Sequence, residues 1–405
     1  MSDRRRVVVV GGGLAGIVAA LDCADAGASV TLVEVRRRLG GAAYSFEREG
    51  LQMDNGQHVF LRCCVAYRAL LARLRSERLT ALQPRLDIPV LSPGRPPARL
   101  RRGSLPAPAH LAGALARYPH LTLRQRAGAV RAALGLMRLR LDDPALDRQT
   151  LGRWLAGHGQ NPAAVAALWD LIALPALNLP AAEASLALAA FVFRTGLLSA
   201  SDAGDIGFHE GTLSQTIGEP ALAALAQAGV QVRLGWRAEG LARSAEGLEV
   251  HGRGGHSEDA GGEGALDALS AQAVVVAIPH ARAARLLEQL VGESARALGE
   301  LGSSPIVNVH VVYDRSVCEL PFAAGVGTPV QYVFDRTRAG ISTHPAGGCQ
   351  YLAVSLSAAE REMRMSVDAL RERYLPALGE LFPRARQAKV ERFLVTREHA
   401  ATFRA

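Results

Sequence analysis

The chain is poor in the residues that build several common kinds of site. Its 405 residues include five cysteines, and none falls in a C-x-x-C pair. That excludes a disulfide framework and a cysteine-held zinc site, and it points to a reducing compartment. The 11 histidines are scattered and form no H-E-x-x-H pair, so no metal site is expected. Aromatic residues make up only 5% and are not interleaved with the basic stretches. Base stacking, and with it nucleic-acid binding, lacks its usual residues. No uninterrupted apolar run reaches transmembrane length. The nearest, LWDLIALPALNLPAAEASLALAAFVF, carries Asp170, Asn178 and Glu183 and is broken by Pro175 and Pro180. The opening MSDRRRVVVVGGG has a short apolar run that leads into glycines, unlike a secretory signal. The expected place is the cytoplasm, with at most peripheral contact on the inner face of the membrane.

What remains is an ordinary globular balance, with 49% hydrophobic and 21% charged residues. The length suits two or three domains with sizeable cores. Formal charge is +8, and almost all of the positive charge is arginine. A solvated surface explains that surplus, and so does an anionic lipid surface or an acidic ligand.

The N-terminal stretch carries the strongest local pattern. Val7 to Val10 reads as a parallel strand buried on both faces. Gly11, Gly13 and Gly16 follow as G-x-G-x-x-G, with Leu14 and Ala15 opening a helix. The first glycine makes a tight turn, the second admits a pyrophosphate, and the third lets helix and strand pack closely. Amides at the helix N-terminus point at the phosphates. A second strand, Val30 to Val33, ends in Glu34, an acid about 20 residues past the glycines. Its carboxylate suits ribose hydroxyls and repels a 2′-phosphate, which disfavours NADP. NAD and FAD both remain open on these residues.

The next stretches narrow the choice. VRRRLGGAAYSF places Arg36 and Arg38 before the pair Gly40 and Gly41. GLQMDNGQHVF then sets Asp54, Asn55, Gly56, Gln57 and His58 between apolar residues. Alone, that cluster reads equally well as a plain turn. Taken in order, E-x-R-x-x-x-G-G followed by D-N-G-Q-H resembles the FAD-dependent amine oxidase and phytoene desaturase superfamily. The wording D-N-G-Q-H is similar to that of bacterial hydroxysqualene dehydroxylases. The resemblance implies that the cofactor is FAD, that Gly40 and Gly41 lie against the diphosphate, and that Gly56 and Gln57 run beside the flavin. It departs at Ala42, where the superfamily usually has an arginine, so Arg36 or Arg38 takes more of the phosphate contact.

From Val65 to about residue 200 the pattern reads as helical, rich in Leu, Ala and Arg. No acid occurs from residue 88 to 141, while ten arginines do. In LTLRQRAGAVRAALGLMRLRL, Leu123, Val130, Leu134, Met137 and Leu141 fall at helical spacing beside Arg124, Arg131 and Arg138. This reads as a core-facing helix or as a basic helix at a membrane interface. Residues 204–241 resemble the superfamily's return crossing into the FAD domain, with Ala238 matching a small residue that touches the adenine. Gly252 to Gly264 reads as a flexible hairpin tip. AQAVVVAIPH, PIVNVHVVYD, TPVQYVFDRT and CQYLAVSLS read as strands, and a helix is expected from Ala358 to Leu381. Tyr332 and Phe334 either line an apolar substrate cavity or pack in the core. The superfamily also has a final flavin-contacting segment with a G-D motif, which the 405 residues do not include.

The expected architecture is therefore α/β, with a discontinuous Rossmann-like FAD-binding domain and a mixed α+β substrate domain. The FAD domain takes residues 1–65 and 204–285. Residues 66–203 form a helical substrate- or membrane-facing region, and 286–405 form the substrate sheet and helix. The resemblance implies removal of an allylic hydroxyl from hydroxysqualene, giving squalene, with an apolar isoprenoid as substrate. His58 is the candidate proton donor, its plain alternative being a structural hydrogen bond. A carotenoid or phytoene desaturase is the rival enzyme. A non-catalytic lipid-surface protein that kept the fold is the rival of another class.

Overall fold

The computed structural model describes residues 4–254, 266–340 and 348–404. Its first layer is a four-stranded parallel sheet. The strands are β1 (Arg6–Val10), β2 (Ser29–Glu34), β10 (Gln231–Leu234) and β14 (Ala273–Val276), in the order β10-β2-β1-β14. Alternation along β1 explains its valines. Val7 and Val9 pack toward α1 (Leu14–Asp25) and α4 (Glu219–Gln227). Val8 and Val10 pack the other way, with Trp236, Leu241 and Val250. That second cover is a three-stranded sheet of β11 (Arg237–Ser244), β12 (Gly247–Arg253) and β13 (Leu266–Ala271). A strand buried on both faces needs apolar residues at every position, and each such valine contributes about 1.5–3 kcal/mol. The expected Gly252–Gly264 tip begins in β12, and from residue 255 on it lies outside the described residues.

The largest sheet has seven strands, in the order β19-β15-β18-β17-β16-β7-β8. They are β7 (Asp87–Leu91), β8 (Ala98–Arg101), β15 (Gly302–Tyr313), β16 (Phe322–Gly325), β17 (Tyr332–Asp335), β18 (Gln350–Ser357) and β19 (Val390–Arg404). Val307, Val309 and Val311 of β15 pack with Leu370, Tyr374 and Leu378 of α5 (Val367–Leu381). The alternate positions, Asn308 and His310, are buried on the opposite face. The sheet thus has one apolar face and one face with polar side chains.

Two expectations need correction, and one open choice is decided. The stretch from Val65 to residue 200 is not all helical. It contains β6 (Thr80–Leu82), β7 and β8, and the last two complete the large sheet. Arginines on β8 fit a strand because β8 is the sheet's edge, where Arg99 pairs with Asp87 at 2.5 Å. The expected helix from Ala358 begins instead at Val367, capped by the Ser366 side chain. Ala358 has φ of 47°, which ends any helix there. Of the two readings left open for Tyr332 and Phe334, the structure shows core packing. They stack on each other at 6.1 Å within a core cluster that includes Phe322, and the Tyr332 hydroxyl donates to the Leu171 carbonyl at 2.8 Å.

Two small sheets join the layers. One is the hairpin of β3 (Ser45–Arg48) and β4 (Leu51–Asp54). In the other, β9 (Ile206–His209) lies between β5 (Val59–Leu61) and β6.

Candidate functional site

The glycine turn after β1 explains itself position by position. A side chain at Gly11 would overlap the Ala277 carbonyl, and one at Gly16 would overlap the Gly11 carbonyl. Both glycines are needed for packing. Gly13 differs, because an added Cβ there meets only the Gly41 Cα, at 3.8 Å. The space above Gly13 opens onto the N-terminus of α1, where no side chain caps the helix and no acid sits in the first turn. The amides of Leu14, Ala15 and Gly16 begin that turn, and they suit a diphosphate.

Gly40 and Gly41 lie against this turn. The Gly40 amide donates to the Gly12 carbonyl at 2.9 Å, and Gly13 and Gly40 form a parallel bridge. A Cβ at Gly41 would sit 2.9 Å from the Gly13 Cα, so two glycine backbones meet where only glycines fit. Arg38 donates to the Gly41 carbonyl at 3.0 Å, and its guanidinium lies 3.4 Å from the Tyr44 ring centre. Burial lowers the Arg38 pKa. Arg36 is exposed at the end of β2, and the Ala42 side chain offers no donor. The Ala42 carbonyl accepts from Asn55 at 3.2 Å.

Glu34 is buried and organises the turn. One carboxylate oxygen accepts from the Gly12 amide at 2.6 Å, and the other from the Arg36 amide at 2.7 Å. Each oxygen keeps a lone pair for a ribose hydroxyl. The Glu34 carbonyl accepts from the Trp236 amide at 2.9 Å, which sets β11 and Ala238 two residues further on. Ala238 packs on the cluster that contains Val10 and Val33.

The second half of the site forms around Asp54 at the end of β4. Its buried carboxylate accepts from Ser45 at 2.6 Å, from the Leu213 amide at 2.9 Å and from Arg336 at 2.6 Å. Arg336 also donates to the carbonyls of His209 and Gly211. One arginine therefore ties the D-N-G-Q-H turn, the end of β9 and the end of β17 together. Gly56 brings His58 and Asn308 close. A Cβ on Gly56 would lie 3.4 Å from His58 Nε2 and 4.0 Å from Asn308 Nδ2. Asn308 donates to the Asn55 carbonyl at 3.2 Å.

Three histidines converge here. His209 Nε2 lies 2.9 Å from the Tyr67 hydroxyl, and His310 lies 2.7 Å from the Tyr351 hydroxyl. Burial, with His58 and Arg336 nearby, pushes His209 down to about 3. Burial, with Arg336 and Arg48, pushes His310 down to about 3. Both are neutral near pH 7. His58 is an exposed residue, and neighbouring protein lowers its pKa, chiefly by desolvation and then by Arg336, against the pull of Asp54. Gln57 Nε2, His209 Nδ1 and Asn308 Oδ1 are buried and have no partner among the described residues. Buried polar atoms are normally satisfied, so these fit a ligand rich in donors and acceptors, such as a flavin ring.

Of the residues singled out in the sequence, the structure brings Gly11, Gly13, Gly16, Glu34, Gly40 and Gly41 together at the end of β1, while His58 lies with Asp54 and Arg336 in the second half. Sequence reasoning missed Tyr67, His209, Arg336, Asn308 and His310. Asn308 and His310 left a signal, as polar residues at alternate positions of the apolar strand PIVNVHVVYD. The others left none.

The same arrangement is found elsewhere. The structure matches cyclohexylamine oxidase from Brevibacterium oxydans with a TM-score of 0.69 at 18% identity, over 98% of this chain and 85% of that one. It matches a putrescine oxidase variant with a TM-score of 0.70 at 18% identity, over 97% and 84%. These likenesses show the fold. Hydroxysqualene dehydroxylase of Rhodopseudomonas palustris is 28% identical over 99% of this chain and 87% of its own length. Zeta-carotene desaturase of Solanum lycopersicum is 28% identical over 42% of this chain, a match that spans only 30% of that protein. The model of the flavin containing amine oxidoreductases matches residues 14–404. The chain thus belongs to the flavin containing amine oxidoreductase family, as an oxidoreductase that uses FAD.

Proposed function

We propose that the protein reduces hydroxysqualene to squalene, replacing an allylic hydroxyl with hydrogen. One observation carries this reading. The likeness to the Rhodopseudomonas palustris hydroxysqualene dehydroxylase runs over 99% of the chain and 87% of that protein. The matches to the tomato and Haloarcula japonica carotenoid desaturases span 30% and 11% of those proteins. D-N-G-Q-H adds support at the site itself.

Bound FAD, in its reduced form, supplies the hydride. The chain does the rest. The α1 amides and Gly13 would hold the diphosphate, and Glu34 the ribose. Gln57, Asn308 and His209, whose buried polar atoms lack partners among the described residues, would hold the ring. The hydroxyl must leave as water, so the alcohol oxygen takes a proton as its carbon–oxygen bond breaks and the hydride arrives. His58, with Asp54 and Arg336 as charged neighbours, is the donor in this reading. Burial keeps His209 and His310 neutral, so neither competes with His58 as the proton donor.

Two assays of the FAD-loaded protein separate the rival enzymes. Hydroxysqualene with a reductant should give squalene. Phytoene with an electron acceptor should give no desaturated product. The reverse pattern overturns the reading.

A further inference from the structure

Helix α2 (Leu123–Arg138) wears its large apolar side chains on the outside. Leu123 is 79% exposed, Val130 47%, Leu134 41% and Met137 36%. Its buried face is small instead, with Gly128, Ala129 and Ala132 beside Leu136. A Cβ on Gly135 would crowd the Trp154 ring at 2.9 Å, so small residues let α2 seat closely on its neighbours. This settles the alternatives left by the sequence. The apolar stripe does not face the core.

The stripe runs through Leu123, Ala127, Val130, Leu134 and Met137, all exposed and spaced alternately four and three residues apart. That is a continuous seam on one side of a helix about 24 Å long. Arg124, Arg131 and Arg138 each follow a seam residue, so they line one edge of it. All three are exposed and form no ion pair among the described residues. Arg126 lies on the other edge and is held by the Leu121 and Tyr118 carbonyls.

Such spacing can also pair with a second helix, but the edges oppose self-pairing. In a dimer of two α2 helices, the residues flanking the seam face each other. Here arginine would meet arginine, with no acid between residues 88 and 141 to answer it. A surface that is apolar inside and anionic at its rim answers both features. Leu and Met side chains enter the acyl region, while the guanidiniums reach headgroup phosphates.

We propose that α2 docks the protein flat on a bilayer surface that carries anionic lipids. The seam supplies insertion and the arginine edge selects charge. The docking is separate from the choice of substrate, because vesicle binding is read without turnover.

The test is co-sedimentation of the FAD-loaded protein with two kinds of vesicle. One is phosphatidylcholine alone, and the other contains phosphatidylglycerol as well. The protein should pellet with the anionic vesicles and dissociate as salt shortens the Debye length. Leu134→Glu should weaken that binding at least about tenfold, because a charge then enters the acyl region. Arg124→Glu combined with Arg131→Glu should remove the preference for anionic vesicles. All three positions are exposed, so melting temperature and flavin absorbance should stay unchanged. Two results would overturn the proposal. One is a wild-type protein that ignores anionic vesicles. The other is a concentration-dependent dimer, lost in Leu134→Glu, in a protein that binds no vesicles.

Discussion

Arg336 and Asp54 form a buried ion pair of 2.6 Å that joins the D-N-G-Q-H turn to the seven-stranded sheet. The two residues are far apart in sequence, and no local pattern links them. Their pairing fixes the turn that carries His58 and Gln57. The same guanidinium caps the end of β9 through the His209 carbonyl.

Removing one partner should therefore cost more than removing both. Arg336→Gln leaves a buried carboxylate without its cation and should destabilise the protein by about 3–5 kcal/mol. Arg336→Gln with Asp54→Asn should recover part of that loss. Urea denaturation of the two variants beside the wild type measures both values. Equal costs for the single and double variants would contradict the role given to the pair.

The glycines should separate by function. Gly13→Ala places its methyl in open space, so the fold should persist while FAD affinity falls at least about tenfold, through loss of close diphosphate approach. Gly16→Ala drives a methyl into the Gly11 carbonyl and should lose the fold itself. Flavin titration of each variant, beside its circular dichroism, makes the comparison.

The buried histidines predict an acid limb in stability. His209 and His310 hold pKa values of about 3 when folded, against about 6.5 when unfolded. Above pH 6.5 neither state binds the proton, and stability is at its full value. Between pH 6.5 and 3 the unfolded chain binds protons that the folded chain refuses, so stability falls as pH falls. Urea midpoints from pH 7.5 to 4.5 should decline, and His310→Gln should shallow the slope. A flat profile in the wild type would count against the neutral, buried state.

His58 carries the chemical prediction. Its lowered pKa makes the protonated ring scarce at neutral pH. If its imidazolium gives the proton, turnover rises as pH drops below 6.5. His58→Gln should keep FAD bound and lower turnover about 100-fold. A variant with full turnover would reduce His58 to a structural hydrogen bond.

What the sequence revealed follows from the range of each interaction. Gly11, Gly13, Gly16 and Glu34 lie within one strand–helix–strand unit, so spacing alone locates them. Gly40 and Gly41 are legible only by order and resemblance, and the structure sets Gly40 in a bridge to Gly13 beside that turn. Tyr67, His209 and Arg336 reach the site from separate strands and helices, through pairings that depend on the whole topology. The strands β7 and β8 hid inside a Leu, Ala and Arg pattern, because β8 is an edge strand, where arginines reach solvent. Helix α2 was located correctly, but its orientation was not legible. Large apolar residues at helical spacing ordinarily mark the buried face, and here glycine and alanine take it.

The most direct measurement is a single turnover without oxygen. Purified protein with chemically reduced FAD is mixed with hydroxysqualene, and the flavin spectrum and the product mass are followed together. The account predicts reoxidation of the flavin with one squalene formed per flavin. A flavin that stays reduced beside unchanged hydroxysqualene would contradict it.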